Sequence, residues 1–171
     1  NKVKQIFDMQ PDEKIQAHLV SVWRESKKFF SVGGREGMLV LTDNYLTFIH
    51  KTESKMKWWQ AITQRQVINF LKSKNTMIHH DGYEEKDLSN DLENSKNVQL
   101  KFDEIDKISF EEKDWGSALF LEYEKDGKKE NFQYAIAQDW VRYPMKEPTK
   151  FLKVDWAPFV QYVKERQKFT K

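Results

Sequence analysis

Cysteine is absent from the 171 residues. That excludes disulfides, thiolate metal sites and cysteine nucleophiles, and it fits a reducing compartment. No uninterrupted apolar run approaches the ~20 residues that a membrane-spanning helix needs. The amino end, Asn1-Lys-Val-Lys-Gln-Ile-Phe7, lacks the apolar core of a secretory signal, so a cytoplasmic setting is expected. An excess of one charge sign is missing too. The formal charge of +2 gives no global attraction to nucleic acid or to an anionic membrane, and any such attraction must come from a local patch. Motifs for chemistry are also lacking: there is no Gly-x-Ser-x-Gly elbow, no phosphate-cradling glycine loop and no paired-histidine helix motif. His18 and His50 fall in expected strands, with no nucleophile or orienting acid beside them. Carboxylates are abundant, but no pair sits where its pKa would shift predictably. The expectation is a non-enzymatic protein with no cofactor, no metal and no nucleic-acid partner.

What is present is aromatic. Hydrophobic residues make up 39% and charged residues 33% of the chain, which is polar for a globular protein. Yet 12 Phe, 6 Trp and 6 Tyr can build a core from few positions. The length suits one domain. The best organised stretch runs from Gly34 to His50 and reads as two strands joined at Asp43-Asn44, residue types that tolerate tight turns. Alternation puts Leu39 and Leu41 on one face, and Met38, Val40 and Thr42 on the other. In the second strand Leu46 and Phe48 oppose Tyr45, Thr47 and Ile49. Both faces carry apolar groups, so at least one needs a covering layer.

Around this hairpin the chain falls into order. Residues 1–14 are a polar extension. Ile15 to Phe30 reads as a strand, with Ala17, Leu19, Ser21 and Trp23 alternating against His18, Val20, Val22 and Arg24. Trp59, Ile62, Val67, Phe70 and Leu71 fall near helical spacing. Residues 75–97 are strongly polar and read as a mobile loop with one short helical turn. Strands return at Val98–Phe102, Ile105–Phe110, Ala118–Glu124 and Glu130–Ile136. Asp126-Gly127 between the last two is a strong signal for a primed hairpin turn. Residues 137–153 read as a surface loop. A final helix follows Asp155, with Trp156, Phe159, Val160 and Val163 as its apolar stripe.

This order resembles the pleckstrin-homology-like (PH-like) superfold, and more closely its GRAM-type and bacterial or archaeal members. The resemblance rests on Gly37-Met-Leu-Val-Leu-Thr-Asp-Asn-Tyr-Leu-Thr-Phe-Ile49, on Phe102-Asp-Glu-Ile-Asp-Lys-Ile-Ser-Phe110, and on the hairpin Ala118–Ile136. It covers roughly residues 15–52 and 98–168. It implies a mainly β, α+β fold: a bent antiparallel sheet or partly open barrel, stoppered by the carboxyl-terminal helix. Residues 15–171 would form this single domain, with an insertion at about 53–97 that departs from the family pattern. Binding of a protein or a lipid headgroup is the activity it implies.

Three groups of residues are candidates for function. Trp58 and Trp59 cannot both face one side of a helix, so one is expected to cover the sheet and the other to serve a protein partner. Lys27, Lys28 and Arg35, beside Phe29 and Phe30, are candidates for an anionic membrane surface, which would make the protein peripheral to the membrane. Two or three such cations, each contributing about 1 kcal/mol, do not anchor a protein alone. His79 and His80 with Asp81, Glu84, Glu85 and Asp87 have donor types that suit a metal. A solvated polar loop is the better reading, because adjacent histidines project in different directions. The protein-interaction module leads, headgroup binding is the alternative, and an enzyme of unknown reaction is the third reading.

Overall fold

The computed structural model describes residues 13–27, 34–51, 56–94, 96–138 and 150–167. Its elements are β1 (Ile15–Ser26), β2 (Arg35–Thr42), β3 (Tyr45–His50), α1 (Met56–Lys72), α2 (Glu85–Leu92), β4 (Val98–Lys101), β5 (Ile105–Lys113), β6 (Gly116–Lys125), β7 (Lys128–Ile136) and α3 (Ala157–Gln167). The strands make one antiparallel sheet in the order β4-β3-β2-β1-β7-β6-β5. β1 joins the two halves, and β4 and β5 are its edges, so the barrel is open.

The hairpin at the centre of the sequence pairs as its pattern requires, with Met38 opposite Ile49 and Leu41 opposite Leu46. Asp126 and Gly127 both have positive φ, the geometry of a primed turn between β6 and β7. The inner faces of both halves share one core with α3, whose Phe159, Val160 and Val163 are buried beneath the sheet together with Trp156. Asp155 Oδ1 accepts the Ala157 N–H at 2.9 Å at the helix start. At the far end Gln167 Nε2 donates to the carbonyls of Phe102 and Ile105, at 2.9 and 3.0 Å. The helix therefore lies across the gap between β4 and β5. This is the architecture that the PH-like resemblance implies.

Two expectations need correction. The strict alternation of β1 breaks at Ser21. Between Leu19 (opposite Leu39) and Val22 (opposite Gly37), β1 holds one residue more than β2, a β-bulge in which Ser21 has φ 53°. The bulge reverses the phase, so Val22 joins Ala17 and Leu19 in the inner core while Trp23 turns outward. The second correction concerns residues 75–97, which are not a solvated loop. Tyr83, Leu88 and Leu92 are buried with Val20, Met38, Val40, Ile49, Trp59 and Ile62 in a second core on the outer face of β1–β3. The capping interaction Glu84 N–H to Asp87 Oδ2 (2.9 Å) starts α2, and the few apolar groups in this polar stretch converge on one face.

Polar contacts explain why this second layer forms. β1 pairs with β7 only from Val22 onward, so the other side of its first half would be a bare edge. The His18 N–H donates to the Ile78 carbonyl at 2.7 Å. The Gln66 side chain closes a two-bond ring with Val20, accepting its N–H at 2.8 Å and donating to its carbonyl at 2.7 Å. At the bulge, the Trp59 indole N–H donates to Ser21 Oγ (3.1 Å), which sits 2.7 Å from Thr63 Oγ1. The His18 N–H and both backbone groups of Val20 have thereby found partners. Polar residues inside α1, unexpected for its core-facing side, act as strand substitutes.

Candidate functional site

The sequence-predicted residues are not brought together. Trp59 is fully buried and bonded to Ser21, so it is the one of the pair that covers the sheet. Trp58 is half-buried, its ring 5.9 Å from Tyr83 and 6.0 Å from His18. Lys27 follows the end of β1, and its Nζ stands 4.2 Å over the Phe120 ring. Arg35 opens β2, exposed, opposite Arg24. Lys28, Phe29 and Phe30 lie outside the described residues. His80 is buried with Nε2 3.0 Å from Gln66 Oε1, and His79 Nε2 donates to the Tyr83 carbonyl at 2.8 Å. Among the described residues no group of three donors is placed to hold a metal.

Two other places concentrate chemistry. The first is a cleft of about 230 Å³ on the outer face of β1 and β7, lined by Trp23, Glu25, Trp115, Gln133, Ala135 and Phe151. β1 contributes Trp23 and Glu25, two residues apart and therefore on one face. Trp115 stands on the β5–β6 turn, 43% exposed. Phe151 is fixed by a bridge to Ala137, continued by bonds from Gln138 N–H to the Lys150 carbonyl (2.7 Å) and from Leu152 N–H to the Ile136 carbonyl (2.8 Å). The stretch expected to be a plain surface loop thus ends in an extension of the sheet. The Trp115 and Phe151 rings meet edge to face, 5.5 Å apart at 69°. The Trp23 indole N–H donates to Glu25 Oε1 at 2.8 Å and fixes the carboxylate. Two glycines permit this packing. A Cβ on Gly34 would lie 2.3 Å from Trp23 Cε2, and one on Gly116 would lie 2.7 Å from Phe151 Cβ.

The second place is where the strands of the first half end. The Arg24 guanidinium lies between two rings, 4.5 Å from the centroid of Phe48 and 4.3 Å from that of Phe132. His50 is close by, its ring 5.4 Å from Phe48. Burial pushes the His50 imidazole down to about 4, the charges of Arg24 and Arg35 push the same way, and a hydrogen bond with the Lys96 backbone opposes them. The lowering contributions of Arg24 and Arg35 mark positive potential at this end, although burial is the larger cause.

Sequence reasoning missed both places because their members are remote in the chain. Positions 23, 115 and 151 form no local spacing. The one signal available was a Trp inside the turn Asp114-Trp-Gly-Ser117, a position that rarely points into a core.

No family model matches the chain, and no curated protein matches it. Among solved structures it is similar to the Vps36 N-terminal PH domain, with 12% identity over 95% of this chain and 84% of that one and a TM-score of 0.46. No residue's role is carried over from that likeness. Among the described residues no helix is long and apolar enough to cross a membrane.

Proposed function

We propose that the chain is a non-enzymatic binding module of PH-like, GRAM-like type, and that it presents a protein-interaction surface on the outer face of β1, β7 and β6. The observation that carries this reading is the cleft walled by Trp23, Trp115 and Phe151, with Trp115 left exposed beside it. Aromatic side chains around a concavity are the usual energetic anchors of an interface. The role first considered for Trp58 and Trp59 passes to these residues. The test is selection of a displayed peptide library on the wild-type chain. Peptides that bind should lose at least roughly tenfold in affinity on Trp115→Ala, as a 1.4 kcal/mol anchor would require. Binders indifferent to that substitution, or no binders at all, would count against the reading.

A second reading is favoured by the cations around His50. Arg24, Arg35 and Lys96 supply positive charge for an anionic headgroup, while the Lys27 ammonium is engaged by Phe120. Co-sedimentation with phosphatidylserine vesicles at low salt tests it. Arg35→Glu with Lys96→Glu should release the protein, and absence of binding by the wild type would remove this reading.

A further inference from the structure

We propose that the cleft beside Trp115 receives the ammonium head of a partner's lysine side chain, with methylated forms preferred. The proposal rests on the reading of this face as the interaction surface and adds the chemistry of its ligand. Three observations carry it.

The first is the wall. Trp115 and Phe151 stand at 69° to each other and Trp23 lines the cleft with them, so a compact group entering it meets three aromatic side chains. Ring faces are negative and attract an organic cation, most strongly where water is excluded. The second is Glu25. Its carboxylate lines the same cleft and is fixed at one oxygen by the Trp23 indole, so the cleft has a placed negative charge before any ligand arrives. An apolar occupant would strip water from that charge and return nothing, whereas a cation satisfies it. The third is size. About 230 Å³ is below the ~300–1,000 Å³ of pockets that hold drug-sized ligands, and it suits one side-chain head.

The same sheet already uses this chemistry internally. Lys27 Nζ and Lys113 Nζ stand 4.2 and 5.9 Å from the Phe120 centroid, and Arg24 lies between Phe48 and Phe132. Phe120 does not line the cleft, and Lys113 is paired with Glu111 at 3.1 Å, so these lysines are committed elsewhere. Methylation spreads the charge over apolar methyl groups and lowers the desolvation penalty, which is why an aromatic enclosure favours it.

The experiment is an NMR titration of the full 171-residue chain with N-acetyl-trimethyllysine methylamide. The same titration is run with its neutral carbon isostere, a tert-butyl group replacing trimethylammonium, at matched ionic strength. The expected result is saturable shifts of the Trp23 and Trp115 indole N–H signals, with the isostere at least tenfold weaker. Glu25→Gln should weaken the cation severalfold and leave the isostere unchanged. Trp115→Ala should abolish both effects while the rest of the amide spectrum stays in place. Equal binding of cation and isostere would overturn the ammonium assignment, as would no saturable shift with either. In both cases the interaction surface is judged separately by the peptide selection: Trp115-dependent peptides without a lysine would sink this proposal and leave that surface standing.

Discussion

Over β1, β2 and β3 the outer side of the sheet is sealed by α1 and α2, whereas over β1's second half and β7 it opens into the cleft beside Trp115. β2 and β3 are buried on both faces, whereas β5 and β7 place polar and charged residues on one face, so the patterning already differs between the halves. Hydrogen bonding adds a second difference. The first half of β1 has an edge with no strand beside it, and Gln66, Ile78 and the Ser21–Thr63 pair supply what a strand would have supplied. From Val22 onward β7 takes that place, and no second layer is needed. A covering layer here follows unmet backbone polarity as much as apolar surface.

Breaking this contrast should begin with Trp59. Trp59→Ala removes the largest side chain of the outer core and one bond to Ser21, and a loss of about 3–5 kcal/mol is expected. Urea denaturation would show it as a lower midpoint at an unchanged slope. Acid should act next. Burial pushes the His80 imidazole down to about 4, against 6.5 when unfolded, with His79 and Arg65 adding to the effect and Asp81 opposing it. Between those values the unfolded chain binds more protons, so the contribution is complete above pH 6.5 and fades as pH falls toward 4, by up to ~3 kcal/mol. His80→Gln should flatten the pH–stability curve in that window. Since His50 is shifted in the same direction, an unchanged curve would assign the acid sensitivity to it. His50 and His80, the two histidines pushed down, belong to the covered half or its outer layer, so acid should loosen that half first in hydrogen exchange.

An effect of similar size should come from Gln66→Leu. It keeps the apolar packing but orphans the Val20 N–H and carbonyl, at roughly 1–3 kcal/mol per group. The smallest belongs to the open half. Trp115→Ala should change stability by less than about 1 kcal/mol, since nearly half of its surface is exposed, and its consequence should be seen in binding. A large destabilisation there would mean that the open face is structural, and the contrast between halves would fail.

Much of this was legible in the chain. The β2–β3 register followed from Met38–Leu41 and Tyr45–Ile49, the β6–β7 turn from Asp126-Gly127, and α3 from Trp156, Phe159, Val160 and Val163. These signals are local and periodic. The bulge was not legible, because Ser21 adopts positive φ for tertiary reasons: its hydroxyl meets Thr63 and Trp59, and its carbonyl accepts the Ala137 N–H at 2.8 Å. Gln66 and Thr63 look like solvent-facing helix residues until the strand edge they serve is known. Leu71, assigned by spacing to the apolar side of α1, is 81% exposed, because the buried stripe of the helix runs through Trp59, Ile62, Thr63, Gln66 and Phe70. The cleft could not be read at all, since three separate segments build it.

The substitution of a side-chain amide for a strand has a consequence for shortened versions of this protein. Excising α1 through α2 would not leave a leaner domain. It would leave Val20 and His18 presenting free amide and carbonyl groups along an apolar ribbon, a template on which another copy could zip itself. Trimming the chain to its family-like parts should therefore yield self-association before it yields a soluble minimal fold.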